Sequence, residues 1–110
     1  MSRTSPSIES LPQAARAALR KLADDLSTAR KRRGQPLREW AKRLEVSVPT
    51  LLRMEKGDPS VSAGVYATAV WLIGRHEALG QVADPKEDLA ALEAEIQTAR
   101  LRGARRDRSV

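Results

Sequence analysis

Residues 38–57, REWAKRLEVSVPTLLRMEKG, contain two short helical patterns separated by about three residues. One longer helix would bury an apolar face with fewer turns and caps, so the interruption calls for an explanation. Ser47 is a favourable N-cap for the second pattern, and Gly57 is a natural residue to end it. The sequence therefore predicts one helix entered near Pro36 and ending near Glu45, and another that starts at Ser47 and stops at Gly57.

Helical patterns continue on both sides of this stretch. Upstream, Ser10 and Gln13 have the spacing of a capping box, which predicts a long helix from there to Gly34. Downstream, Ser62 can cap a fourth helix, and residues 86–101 have the spacing of a further one. The expected fold class is all-α, a compact bundle of four to five helices with a C-terminal helix and flexible tails.

Charge sets the expected class of partner. The chain has 110 residues, with 20 Lys and Arg against 14 Asp and Glu, and a pI near 10.5. A basic balance favours partners that carry phosphate, nucleic acid first among them, and a merely soluble basic surface is the alternative. The excess is local, because residues 12–57 have twelve Lys and Arg against five acids, whereas residues 84–99 have one Lys against five acids.

The same composition disfavours several classes of protein. Cysteine is absent, so neither a disulfide framework nor a thiolate metal site is expected. His76 is the single histidine and belongs to no triad or metal-ligand pattern, so we expect no catalytic residue, no metal, no cofactor and no enzyme. The sequence shows no apolar run of membrane length and no signal-peptide pattern, which predicts a cytoplasmic protein without a membrane partner.

Three parts follow from these patterns. Residues 1–10 are polar, contain a proline and have no hydrophobic period, so we expect a flexible N-terminal arm. Residues 11–74 contain the four main helices, and residues 75–110 form a segment for dimerisation or partner binding that ends in an Arg-rich tail. The tail could reach DNA phosphates or an acidic patch of a partner, and a solvated disordered end is the alternative.

The fourth helix is apolar around most of its circumference, so it must be covered on more than one side. A second subunit can supply that cover, and so can the following segment RHEALGQV (residues 75–82) folding back over it. We expect dimerisation through residues 61–82. The predicted interface residues are Val65, Val70, Trp71, Leu72, Ile73 and Leu79.

The interrupted helix pair has a known use in DNA-binding proteins. Two helices joined by a tight turn and crossing at a large angle let the first lie across the DNA backbone while the second projects into the major groove. Leu51 and Met54 should face the core, and Arg53 and Lys56, three residues apart, should share the outward face. With Ser47 as its cap, the second helix presents backbone N–H groups to a phosphate. The break therefore predicts a helix-turn-helix.

Residues 19–74 resemble the Cro/repressor-type helix-turn-helix family, often called Xre-like. The likeness is strongest in REWAKRLEVS (residues 38–47) and RMEKG (residues 53–57). With the continuation VWLIGRHEALGQVADPKED (residues 70–88), the chain is most similar to HipB-like antitoxin repressors, which pair with HipA-like kinase toxins. The resemblance implies a phage-repressor fold and a homodimer bound to a double-stranded DNA operator, an inverted repeat upstream of its own operon.

The resemblance also assigns roles to residues. It pairs Glu55 with Arg30 as a structural ion pair. Two positions depart from the family pattern: Leu37 stands where members usually have a Gln that holds a phosphate, and Glu45 stands where they usually have Gly in the turn. Arg38 is the candidate to replace the lost phosphate contact. The residues placed at the DNA are Ser47, Val48, Pro49, Thr50 and Arg53, with Lys56 nearby on the backbone.

The expected reading face is unusually apolar. Val48, Pro49 and Leu52 can touch thymine methyl groups but cannot make bidentate hydrogen bonds to base edges. Arg53 is the main candidate for a guanine contact, and the competing interpretation is that it grips only phosphate. Specificity could therefore depend on DNA shape more than on direct readout.

Residues 84–99 suit a protein surface better than DNA. Leu89, Leu92 and Ile96 recur at helical spacing between acids, and a helix of this length is marginal alone, so it should dock on its own dimer or on a partner. We expect these three residues to bind the HipA-like kinase. The alternatives are an adaptor that uses the helix-turn-helix as a scaffold, or a free-standing regulator without a toxin partner.

Overall fold

In the computed structural model, residues 5–108 are described, and every regular element among them is helical. The elements are α1 (Pro6–Glu9), α2 (Gln13–Arg32), α3 (Leu37–Leu44), α4 (Val48–Met54), α5 (Ala63–Leu72), α6 (His76–Gly80), a 3₁₀ turn (Pro85–Glu87) and α7 (Leu89–Arg108). The predicted all-α class is confirmed. The chain divides into two units, one ending at His76 and one beginning at Glu77.

The core of the first unit is assembled from α2 to α5. Trp40, Leu51 and Met54 are its largest fully buried side chains. Burial of a side chain the size of Leu51 or Met54 contributes about 1.5–3 kcal/mol to folding. The guanidinium of Arg43 lies 5.4 Å from the ring centre of Trp40, so the cation covers one face of the indole. The other buried apolar residues are Ala23, Leu26, Ala41, Leu44, Val61, Tyr66, Ala69 and Val70.

Two of the predicted N-caps are present, and one is not. Ser47 and Ser62 accept hydrogen bonds from backbone N–H groups at the starts of α4 and α5, as their positions predict. The capping box expected at Ser10 does not form, because Ser10 ends α1 and its hydroxyl donates to the Pro6 carbonyl at 2.8 Å. Helix α2 begins instead after Pro12, without a side-chain cap.

The predicted flexible arm contains regular structure. Residues 1–4 lie outside the described residues, but Ser5 caps the single-turn helix α1. Ile8 and Leu11 are half-buried and line a groove that also contains Leu19 and Tyr66. Ile8 lies within the expected arm and Leu11 directly follows it, and their partial burial against the rest of the first unit accounts for the regular structure.

The Arg-rich end also contains regular structure. Helix α7 continues through residues 100–108, and residues 109 and 110 lie outside the described residues. Ala, Leu and Arg are strong helix formers, and arginines near a helix C-terminus interact favourably with the helix dipole. In residues 5–108 no helix is both long and apolar enough to cross a membrane.

Each of the helices α2 to α5 is followed by a residue with a left-handed backbone conformation. Gly34, Gly57 and Gly74 follow α2, α4 and α5 with φ of 61°, 78° and 72°, and Glu45 follows α3 with φ of 58°. At each exit the next residue donates its N–H to the carbonyl five positions earlier, the pattern of a Schellman motif. Glu45 thus occupies a position that glycine fills at the other three exits, as the family resemblance anticipates.

Replacing Glu45 with glycine is expected to stabilise the protein. A side chain in the left-handed region costs about 1–2 kcal/mol, and the greater freedom of glycine in the unfolded chain offsets part of the gain. The free energy of unfolding should rise by about 0.5–1 kcal/mol, measured by urea denaturation. Glu39→Gly, within α3, is the matched control and should destabilise. A lower urea midpoint for Glu45→Gly would show that the Glu45 side chain contributes more than its backbone costs.

Candidate nucleic-acid interface

The α3–turn–α4 unit presents one face of α4 to solvent. Leu51 and Met54 are fully buried on its inner side, as expected. On the outer side Ser47, Pro49, Arg53 and Lys56 are exposed, and Arg38 is exposed on α3. Thr50 is half-buried, and so is Val48, whose side chain packs against the core. Val48 is therefore in part a core residue, which leaves less of it available to a base.

The start of α4 is fixed by two hydroxyl groups. Ser47 Oγ accepts a hydrogen bond from Thr50 N at 3.2 Å and donates to Thr50 Oγ1 at 3.0 Å. The Ser47 hydroxyl is therefore occupied by the cap, whereas the Thr50 hydroxyl hydrogen can be donated outward. Of these two residues, Thr50 is the better placed to bind an oxygen acceptor.

Arg53, the expected guanine-reading residue, is held by its own chain. Its Nε donates to Asp58 Oδ2 at 3.0 Å, and its Nη2 donates to Ser60 Oγ at 2.6 Å. Ser60 N and Oγ both donate to Asp58 Oδ1, which makes residues 58–60 an Asx turn. This turn holds the Asp58 carboxylate and the Ser60 hydroxyl beside Arg53. A bidentate base contact by Arg53 requires it to release Asp58 or Ser60, or to use the Nη1 hydrogens together with the second hydrogen of Nη2.

Sequence reasoning missed this cluster of Arg53, Asp58 and Ser60. The local signal was the spacing of Asp58 and Ser60, which is typical of an Asx turn, directly after the left-handed Gly57. Tyr66 closes the same loop from α5, since its hydroxyl donates to the carbonyls of Asp58 at 2.8 Å and Met54 at 3.4 Å. Burial, and after it the nearby charge of Asp58, raise the pKa of Tyr66 to about 12.

The cluster predicts a dependence of stability on acidity. Hydrogen bonds from the Ser60 hydroxyl and backbone, and then from Arg53, lower the pKa of Asp58 to about 2. Because the folded-state pKa lies below the ordinary value of 3.8, ionised Asp58 stabilises the folded state above that pH, and the contribution is lost as the pH falls towards 2. The free energy of unfolding, measured by urea denaturation between those pH values, should therefore fall less steeply with decreasing pH in Asp58→Asn than in the native protein.

Ser60→Ala is the companion variant for this measurement. It removes the hydroxyl that contributes most to the lowered pKa of Asp58, so the folded-state pKa should move back towards 3.8, and the loss of stability should be smaller and end at a higher pH. Identical pH profiles for the native protein and Asp58→Asn would contradict a role for the Asp58 carboxylate in acid stability.

Arg30 and Glu55 form the ion pair that the resemblance implies. Arg30 Nε donates to Glu55 Oε2 at 2.8 Å, and Nη2 donates to Oε1 at 3.0 Å, a bidentate arrangement. Arg30 Nη1 also donates to the Gln35 carbonyl at 2.9 Å. The Arg30 and Glu55 side chains are only 10% and 8% exposed. The pair joins α2, the segment before α3 and the end of α4, so it sets the position of the candidate reading helix.

Leu37 has a structural role in place of the family's phosphate-binding amide. It is half-buried at the start of α3 and packs against the core. The neighbouring Arg38 is exposed and points to no partner among the described residues. Arg38 is therefore available to bind a phosphate, and packing against the core explains why an apolar residue stands at position 37.

The predicted dimer residues fall into two groups. Val70 is only 6% exposed within its own core, which corrects its assignment to an interface, because a helix apolar all round gives no sequence signal for which face turns inward. Val65, Leu72 and Ile73 are half-buried and pack against the same core. Trp71 is 59% exposed, and in the second unit Leu79 is 43% exposed. Trp71 is the principal uncovered apolar residue of α5.

The predicted partner-binding residues lie on α7. Leu89, Leu92 and Ile96 are 68%, 40% and 52% exposed, and their spacing of three and four residues places them on one helical face.

Among residues 5–108, no three Asp, Glu or His side chains come together as a metal site would require.

Comparison with known proteins gives no match, whether to a protein-family model, to a curated protein or to a solved structure.

Proposed function

We propose that this chain is a sequence-specific DNA-binding transcriptional repressor, acting in the cytoplasm as a homodimer on an inverted-repeat operator. The observation that carries the proposal is the construction of α3 and α4. Helix α4 is held from inside by Leu51, Met54 and the Glu55–Arg30 pair, while Arg53 is exposed on its outer side and Lys56 is exposed just after its end. A short helix that is fixed on one side and has exposed cations at its C-terminal end suits a DNA groove.

The dimer part of the proposal rests on α5. Trp71 is exposed on a helix that otherwise packs against its own core, and an exposed indole is a residue type enriched at protein interfaces. A two-fold dimer through this face would carry two copies of α4, and operator half-sites for such dimers lie about 34–36 Å apart, one turn of DNA.

The partner part of the proposal rests on the resemblance to HipB-like antitoxins and on α7. We propose that the protein represses its own operon and neutralises a HipA-like kinase toxin, which it contacts through the exposed face formed by Leu89, Leu92 and Ile96. The acids of residues 84–99 make this segment unsuited to DNA and suited to a protein partner.

A second candidate function is supported by the state of Arg53. Its engagement with Asp58 and Ser60, beside the apolar Pro49 and Leu52, would leave few side chains to read bases. A protein-interaction adaptor that retains the helix-turn-helix as a scaffold would have such a face. The two functions differ in one measurable property, sequence-specific affinity for DNA.

Titration of duplex DNA tests the repressor directly. Arg53→Ala should weaken binding to the inverted repeat upstream of the operon more than to a random duplex, by about 1–3 kcal/mol, because a base contact carries sequence information. Lys56→Ala should weaken both alike and reduce the slope of log affinity against log salt by about one unit. Lys86→Ala, in the second unit, is the control. Equal affinity of the native protein for both duplexes would favour the adaptor.

A further inference from the structure

A basic cleft lies beside the C-terminal end of α4, away from the α3–α4 turn. It has a volume of about 490 Å³. It is formed by the first turns of α2 and by the chain that leaves α4. The residues that line it are Gln13, Arg16, Ala17, Arg20, Arg53, Lys56, Gly57, Asp58 and Pro59. Four of these residues are cationic, and Asp58 is the one acidic residue among those the structure places in the lining.

Most of this positive charge is uncompensated. Within residues 5–108 the side chains of Arg20 and Lys56 have no hydrogen-bond or ion-pair partner. Arg16 makes one long bond, from Nη2 to the Ile8 carbonyl at 3.4 Å. The carboxylate of Asp58 is already bound by Arg53 and Ser60, so it does not neutralise the remaining cations.

The backbone explains why cations from two helices meet there. Gly57 packs directly against α2, where a Cβ atom would lie 2.9 Å from Arg20 Cα. Arg16 and Arg20 are one helical turn apart on the same face of α2, so both side chains border the contact. The close approach of glycine thus brings the two arginines of α2 beside Arg53 and Lys56.

We propose that this cleft is a phosphate-binding site. Guanidinium groups present paired N–H donors that match phosphate oxygens, and Lys56 adds a point charge. The phosphates are either consecutive groups of a DNA backbone or those of a free diphosphate. In the first case the inference rests on the proposed function and extends the DNA footprint from α4 onto α2. In the second the two arginines of α2 bind a free ligand and do not contact DNA.

Calorimetric titration of the full-length protein with inorganic pyrophosphate at low salt tests the site itself. Arg16→Gln/Arg20→Gln should weaken pyrophosphate binding at least about tenfold, because charge-assisted hydrogen bonds are lost. Lys31→Gln/Arg32→Gln is the matched control: the same loss of charge, on exposed residues at the other end of α2, should change the affinity less than about twofold. Circular dichroism melts verify that all variants are folded.

A second arm identifies the source of the phosphate. If it is DNA, pyrophosphate should displace a random duplex, and Arg16→Gln/Arg20→Gln should reduce the salt slope of duplex binding by about two units. If it is a free diphosphate, Arg16→Gln/Arg20→Gln should weaken pyrophosphate binding but leave the salt slope of duplex binding unchanged. No pyrophosphate binding by the native protein, or equal losses in both double variants, would overturn the site. If the native protein shows no preference for the operator, only the repressor proposal is contradicted, because pyrophosphate binding is measured without DNA.

Discussion

Glu55→Ala is expected to lower the free energy of unfolding by about 3–5 kcal/mol, the cost of leaving one member of a buried ion pair without its partner. The Arg30 side chain is 10% exposed, and two of its three guanidinium hydrogen bonds end on Glu55. After the substitution only the bond to the Gln35 carbonyl remains for a buried cation. The loss should be read from urea denaturation near neutral pH.

The exposed pair of Lys21 and Asp25 supplies the control for that measurement. Its atoms are 2.7 Å apart, but the side chains are 78% and 61% exposed, so Asp25→Ala should leave the unfolding midpoint almost unchanged. Glu55→Gln keeps an acceptor for Arg30 and should fall between the native protein and Glu55→Ala. A Glu55→Ala protein as stable as the native one would mean that water or a rearranged side chain satisfies Arg30.

Gly57→Ala is expected to be comparably damaging for a different reason. The left-handed backbone costs a side chain about 1–2 kcal/mol. The new methyl group would also lie 2.9 Å from Arg20 Cα and 3.3 Å from Arg20 N, backbone atoms that cannot move aside. Overpacking of this kind adds about 1–3 kcal/mol, because the chain after α4 and α2 must shift apart to admit the methyl group.

Gly34→Ala separates the two contributions. Gly34 has nearly the same backbone conformation, with φ of 61°, but open space where its Cβ would lie. It should therefore show only the conformational cost of about 1–2 kcal/mol. If urea denaturation gives Gly34→Ala and Gly57→Ala the same loss, the contact between Gly57 and α2 does not limit stability.

What the sequence could predict follows from the range of each interaction. The starts of α4 and α5 and the exits of α2 and α4 could be predicted, because Ser47, Ser62, Gly34 and Gly57 act within a few residues of their own positions. The pair of Arg30 and Glu55 spans 25 positions and left no local pattern, so only the family resemblance suggested it.

The misses have equally specific causes. Ser10 fits a capping box by spacing, but in the structure it ends the helix before it. Val70 lies on a helix without a polar face, so periodicity could not distinguish its inner side from its outer side. Arg53 was assigned to DNA because its helical position faces outward, yet a side chain that long reaches Asp58 and Ser60 beyond the end of α4.

The Tyr66 hydroxyl gives the molecule a mechanical link. It stands on α5, the helix we propose for dimer contact, and it binds the carbonyls of Met54 and Asp58 at the exit of α4. A displacement of α5 is therefore transmitted to the chain at the exit of α4, chiefly through the 2.8 Å hydrogen bond from the Tyr66 hydroxyl to the Asp58 carbonyl. Subunit association and groove insertion would then be coupled within each protomer, so an effector that loosens the dimer would reach the DNA without touching it.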